Sequence, residues 1–161
     1  MLRIAALSIA LAILSLPAFA QEQFQCGGAT VTIAVDTTMP LRSTEGADVI
    51  LRVERGPRST ILRYSNVDFV GGQCDTDANH ASRIIYQAIC AGSGCHDLSN
   101  WGVINPDSLQ ALLVPSNDSL EQAIALLGHK PVLKDKPMNV SLEAHRLGLL
   151  PPNPQRYTRS G

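Results

Sequence analysis

Hydrophobic and polar residues alternate most cleanly a little way into the chain. From Ala29 to Val35, the residues Ala29, Val31, Ile33 and Val35 fall on one side of an extended backbone, and Thr30, Thr32 and Ala34 on the other. Period-two alternation with β-branched side chains predicts a strand that buries one face. Asp48 to Glu54 repeats the pattern with Val49, Leu51 and Val53 inward. Thr60 to Tyr64 continues it less regularly, and Val67 to Val70 adds another apolar run. Gly56-Pro57 predicts a turn between the second and third strands. So short a link joins antiparallel neighbours, because a parallel crossover needs more chain. Gly71-Gly72 then predicts a break before Cys74.

The second half is less regular. Ala81, Ile84, Ile85, Ala88 and Ile89 fit one helical stripe, with Asp77 as a start signal and Gly92 as a stop. Arg83 to Cys90 also reads as a strand around an apolar centre; the five-residue stripe tips the expectation towards helix. Trp101 to Ile104 and Leu109 to Val114 follow, the latter predicting a strand that ends before Pro115. Asp118-Ser119-Leu120-Glu121 opens a clearer helix, in which Asp118 caps the first amides and Glu121 answers. Leu120, Ile124 and Leu127 form its apolar stripe and Gly128 its end. Ser141 to Leu147 predicts another short helix. These elements predict an α+β, β-rich fold. An antiparallel sheet, or a small barrel or sandwich, fills the N-terminal half with one or two short helices packed against it, and two disulfides staple it.

The first 20 residues change the setting. Arg3, an apolar run from Ile4 to Leu16 and the ending Pro17-Ala18-Phe19-Ala20 read as a secretory signal peptide. The apolar run, about 13 residues, is short for a membrane span. One domain is expected over residues 21–150, followed by a disordered tail over 151–161, where Pro151-Pro152-Asn153-Pro154 shows no packing pattern. Without Arg3, the 13 basic residues of the chain become 12 against 14 acidic ones. Such a balance offers no basic field to a phosphate backbone, so no nucleic-acid partner is expected. The protein is expected in the periplasm or outside the cell, with no membrane contact once the signal is removed.

Export makes the cysteines informative. Cys26, Cys74, Cys90 and Cys95 are an even set in an oxidising compartment, which predicts two disulfides among three pairings. Cys90 with Cys95 would close the small turn Ala91-Gly92-Ser93-Gly94, and Cys26 with Cys74 would tie the front of the first strand to the segment after the fourth. Crosses such as Cys74 with Cys90 stay open. A longer closed loop stabilises more; for the Cys26–Cys74 loop the chain-entropy model gives roughly 4 kcal/mol.

The same segment carries a rival chemistry. Cys90-x4-Cys95-His96 resembles the longer variant of the c-type cytochrome attachment motif, over seven residues only. That resemblance implies haem bound to Cys90 and Cys95, with His96 as its proximal ligand, and hence a small periplasmic electron carrier. Met39, Met138, His80, His129 and His145 are the residues that could face the iron from the other side. A thiol-exchange site would place two residues, not four, between its cysteines. A closed zinc site needs one ligand more than Cys90, Cys95 and His96.

Catalytic motifs are sparse. Ser93 lacks the outer glycines of a nucleophile elbow. Asp75 and Asp77 do not complete a calcium loop and read as solvated turn carboxylates. The leading expectation is therefore a non-enzymatic binding or inhibitory protein, with no cofactor, that presents a disulfide-constrained loop to a protein partner, itself an enzyme in the inhibitory case. His96, Asp97, Asn100 and Trp101 are the candidate contacts; Trp101, the only tryptophan, either anchors the partner or closes the core. The Gln25-Cys26-Gly27-Gly28 lead into a strand resembles small periplasmic lysozyme inhibitors over that one strand. Their inhibitory loop is missing, and no family is assigned.

Overall fold

The computed structural model describes residues 21–41, 46–92 and 99–149. The expected signal peptide (1–20) and tail (151–161) lie outside the described residues, as do Ser93, Cys95, His96 and Asp97. Strands β1 (Glu22–Cys26), β2 (Ala29–Val35), β3 (Ala47–Arg55), β4 (Arg58–Thr76), β5 (Ser82–Cys90), β6 (Gly102–Ile104) and β7 (Ala111–Leu113) succeed one another in chain order across one sheet. Each is antiparallel to the next. A short β8 (Met138–Asn139) joins β4 beyond the point where β3 leaves it. Helices α1 (Ser119–Leu127) and α2 (Val140–Arg146) complete the order. The fold is thus β-rich and antiparallel with two short helices, but the sheet runs well past the N-terminal half.

The alternating segments form the strands they predict. Ala29, Val31, Ile33 and Val35 are buried on β2, and Val49, Leu51 and Val53 on β3. Gly27 and Gly28 both have positive φ, which lets a two-residue turn join β1 to β2 with the twist the strands require.

Three expectations are corrected. Gly71-Gly72 does not break the chain but lies inside β4. Glycine is needed there for closeness, not for turning. A Cβ at Gly71 would lie 3.2 Å from Pro137 Cα, and one at Gly72 would lie 3.1 Å from the Ile85 carbonyl oxygen. The actual irregularity sits at Asn66, with φ of +54°, beside register shifts against both β3 and β5. There β4 leaves β3 and takes β5 as its partner.

Residues 82–90 are strand, not helix. β5 lies between β4 and β6, and Ile84 to Ala88 are buried without interruption. The apolar run covers both faces of a central strand, and five apolar positions in ten residues mimic a helical stripe. Ile84 and Tyr86 face a core shared with β2, β3, β4 and α2, through Val140 and Ala144. Ile85 faces a second cluster with Trp101, Val103, Ala123 and Leu127, under α1.

The expected start of α1 also changes. The Asp118 side chain caps nothing; the Ser119 hydroxyl makes the contacts instead. Gly128 ends the helix in the left-handed conformation as expected.

The sheet curls until its ends meet. Cys26 of β1 is bonded to Cys74 of β4, 48 residues away. The Glu22 carboxylate accepts from the Gly72 amide at 3.3 Å, so β1 lies across the far half of β4. Gly27, in the first turn, packs against Pro106 in the β6–β7 turn. Arg55 donates to the Gly27 carbonyl and, at 2.5 Å, to Asp107. Cys26–Cys74 is the one disulfide described in full, against the two expected.

Tyr86 fills the centre of this curl. It is fully buried, and its hydroxyl meets that of Tyr64 at 2.7 Å. Burial foremost, with Tyr64 beside it, pushes its pKa far above the ordinary tyrosine range, so it stays neutral. Its ring lies over its register partner Gly102, where a Cβ would fall 2.2 Å from the ring. Gly102→Ala should therefore destabilise the protein by roughly 3 kcal/mol through overpacking. Urea denaturation checks this; a loss under about 0.5 kcal/mol would show that the ring moves freely.

Candidate functional site

Of the candidate contacts, His96 and Asp97 fall within the segment 93–98 and Asn100 and Trp101 follow it; the described residues show how both roots of the segment are held. At the first root, the Ala91 amide donates to the Asn66 carbonyl at 2.7 Å. The Asn66 side-chain amide donates to the Ala91 carbonyl at 3.3 Å. Asn66 is a residue type that tolerates positive φ, and its own amide donates to Asp48 at 3.0 Å. The point where β4 changes partner is thus also the point that grips Ala91. Gly46 allows the close fit, since a Cβ there would come within 2.7 Å of both Ala91 Cβ and the Val67 carbonyl. Cys90, just before this root, is disulfide-bonded.

At the second root, one hydroxyl does most of the holding. Ser119 Oγ accepts from the Trp101 amide at 2.7 Å and from the Ser116 amide at 3.1 Å. Its single proton is shared between the Ser116 and Ser99 carbonyls, at 2.8 and 3.1 Å. Ser119 is completely buried. Asn100 is buried too, and its side-chain oxygen accepts from the Ala88 amide of β5 at 3.4 Å. Trp101 is 5% exposed and packs with Ile85, Val103, Ala123 and Leu127.

Among the sequence-predicted residues, then, Cys26 and Cys74 are joined to each other across β1 and β4, and Asn100 and Trp101 lie at the second root. Cys95, His96 and Asp97 lie outside the described residues. Asn66 and Ser119 were not legible as parts of the site. The only signal for Ser119 is its position beside Asp118 at a helix start, where either residue can cap.

Trp101 also reaches a surface cleft of about 460 Å³ that it lines with Gln87, Pro131, Leu133, Lys134 and Pro137. Gln73 fixes the far wall: its amide donates to the Val132 carbonyl at 2.9 Å, and its oxygen accepts from the Lys134 amide at 2.7 Å. The volume is within the range of ligand-sized clefts. Its rim carries both signs of charge, Asp135 between Lys134 and Lys136, over walls that include Trp101, Leu133 and Pro137.

A second hollow of about 380 Å³ lies near the first root, lined by Asp36, Thr38, Asp48, Arg63 and Tyr64. Asp36 is buried. The Thr38 hydroxyl, working against burial and helped by the Thr38 amide and Arg63, holds its carboxyl below the usual carboxylate range. Asp77, expected as a solvated turn carboxylate, is buried and pairs with Arg83 at 2.6 Å. No group of three or more His, Cys, Asp or Glu that could hold a metal ion gathers among the described residues.

Ser119→Ala should leave the buried Trp101 amide without its acceptor, at a cost of about 1–3 kcal/mol. Urea denaturation followed through Trp101 fluorescence measures this. An unchanged midpoint would show that another acceptor takes over.

Comparison with known proteins returns no match to a family model, a curated protein or a solved structure.

Proposed function

We propose that this chain is a non-enzymatic binding or inhibitory protein of the periplasm or extracellular space, which presents a crosslinked loop to a protein partner. The supporting observation is that the segment between Ala91 and Ser99 springs from two fixed points, one clasped by Asn66 and the other by Ser119. A short segment between rigid roots loses little freedom on binding, and that saving goes directly into affinity.

In this reading Cys90 pairs with Cys95. Cys26 and Cys74 are already joined, Cys90 is in a disulfide, and the chain has four cysteines. A sulfur in a disulfide is not available for a thioether to haem, so the electron-carrier alternative gains no support. His96 and Asp97 then supply the polar contacts. Asn100 and Trp101, being buried, anchor the second root, and the cleft beside Trp101 extends the surface that a partner can cover.

The experiment is affinity capture from the exported fraction under native expression, followed by measurement of Kd with the purified partner. Asp97→Ala and His96→Ala should each weaken binding by about tenfold or more, while leaving thermal stability unchanged. Capture of no partner, or a Kd indifferent to both substitutions, overturns the proposal. Intact mass of the same sample separates the chemistries, because disulfides remove hydrogens whereas covalent haem adds a whole cofactor.

A further inference from the structure

The C-terminal end of α1 rests on the β4–β5 turn. A Cβ at Gly128, the left-handed cap, would lie 2.8 Å from Ala78 Cβ. The next residue, His129, points both ring nitrogens at carbonyl oxygens. Nε2 is 2.9 Å from the Thr76 carbonyl, at the end of β4, and Nδ1 is 3.2 Å from the Lys130 carbonyl. Carbonyls only accept, and a neutral imidazole has one N–H to give. One of the two contacts must therefore fail in the neutral ring, whereas the imidazolium satisfies both.

The surroundings favour the cation. Asp75 on β4 stands 3.7 Å from Nε2. The end of a helix carries partial negative charge from its free carbonyls. The turn beneath carries Asp77 and His80, and Asp77 is committed to Arg83 at 2.6 Å. Lys130 follows His129 in the chain and opposes the cation. The two carbonyl contacts foremost raise the His129 pKa; burial opposes them, and Asp75 adds a lesser upward push.

We propose that His129 is a pH-dependent latch that holds α1 to the end of β4, and that α1 carries its state to Trp101 at the root of the candidate loop. The path is short. His129 follows the cap of α1, and Ser119, the first residue of the same helix, binds the Trp101 amide and the Ser99 carbonyl. Between them Ala123 and Leu127 pack in one cluster with Trp101. A helix of nine residues is a rod of about 14 Å, so loosening one end shifts the other.

The sign follows from the direction of the shift. A histidine whose folded pKa lies above its unfolded value, about 6.5, stabilises fully below that value. The stabilisation is lost as pH rises through the folded pKa. The latch is therefore closed on the acid side and open on the alkaline side, and it operates whether or not the loop binds a protein.

The test is a titration of the His129 ring by NMR, together with hydrogen exchange at the Trp101 amide at pH 5.5 and 8.0, corrected for intrinsic rates. Comparison with His129→Gln assigns the ring signal. The ring should titrate above the free-histidine value, and Asp75→Asn should lower it. Trp101 exchange should be about fivefold slower at the acid pH, a difference that vanishes in His129→Gln. A ring that titrates at or below the free value overturns the latch. A Trp101 pH dependence that is absent in the parent chain, or that persists in His129→Gln, overturns the coupling.

Discussion

The structure depends on one strand being too long for one straight sheet. β4 has 19 residues. Fully extended, it would span about 60 Å, at roughly 3.3 Å per residue. A domain of this size has a radius of gyration of only about 14 Å. The strand has to bend, and it does so at Asn66, where a positive φ and two register shifts coincide. The bend divides β4 into a half that serves β3 and a half that serves β5. That change of partner curls the sheet, and the curl brings β1 across the far half of β4, where Cys26 and Cys74 meet.

Once curled, the sheet has two buried faces at β5, and the packing follows. The inner face takes Tyr86, whose ring needs a position without a Cβ opposite it and whose hydroxyl needs Tyr64. The outer face takes Ile85 and becomes the floor on which α1 and Trp101 sit. The Trp101 root of the candidate loop thus lies on a strand held from both sides. The Ala91 root hangs directly on Asn66, the residue that makes the bend. Fold and candidate site share their cause: the residue that relieves the length of β4 is also the one that clasps the loop.

This explains what could be read in advance. β2 and β3 were legible because each buries one face, and one-sided burial writes a period of two into the sequence. β5 was not, because two-sided burial erases that period and leaves a run that fits either helix or strand. Gly71-Gly72 looked like punctuation because glycine serves turning and close approach alike; only the nearness of Pro137 and the Ile85 carbonyl separates the two uses. Asn66 carried no pattern at all. Its role comes from residues far along the chain, Asp48 and Ala91, which local periodicity does not report. The pairing of Cys26 with Cys74 was one of three allowed by counting, and it is the curl that selects it.

The two roots of the candidate loop are held by different physics, and the difference matters for how a binding surface here would behave. At Ala91 the hold is a strand end: a reciprocal pair of hydrogen bonds to Asn66, tight packing on Gly46 and a neighbouring crosslinked cysteine. None of these contacts involves a group that titrates near neutral pH. At Trp101 the hold is a helix end, where one buried hydroxyl serves two amides and two carbonyls. A helix end stays put only while the helix does, and the other end of α1 rests on His129. Changes in pH near neutrality would therefore reach the loop from one side only. A surface fixed at one root and adjustable at the other keeps its point of attachment while it responds to conditions, which is a way to tune a contact without dismantling the surface that makes it.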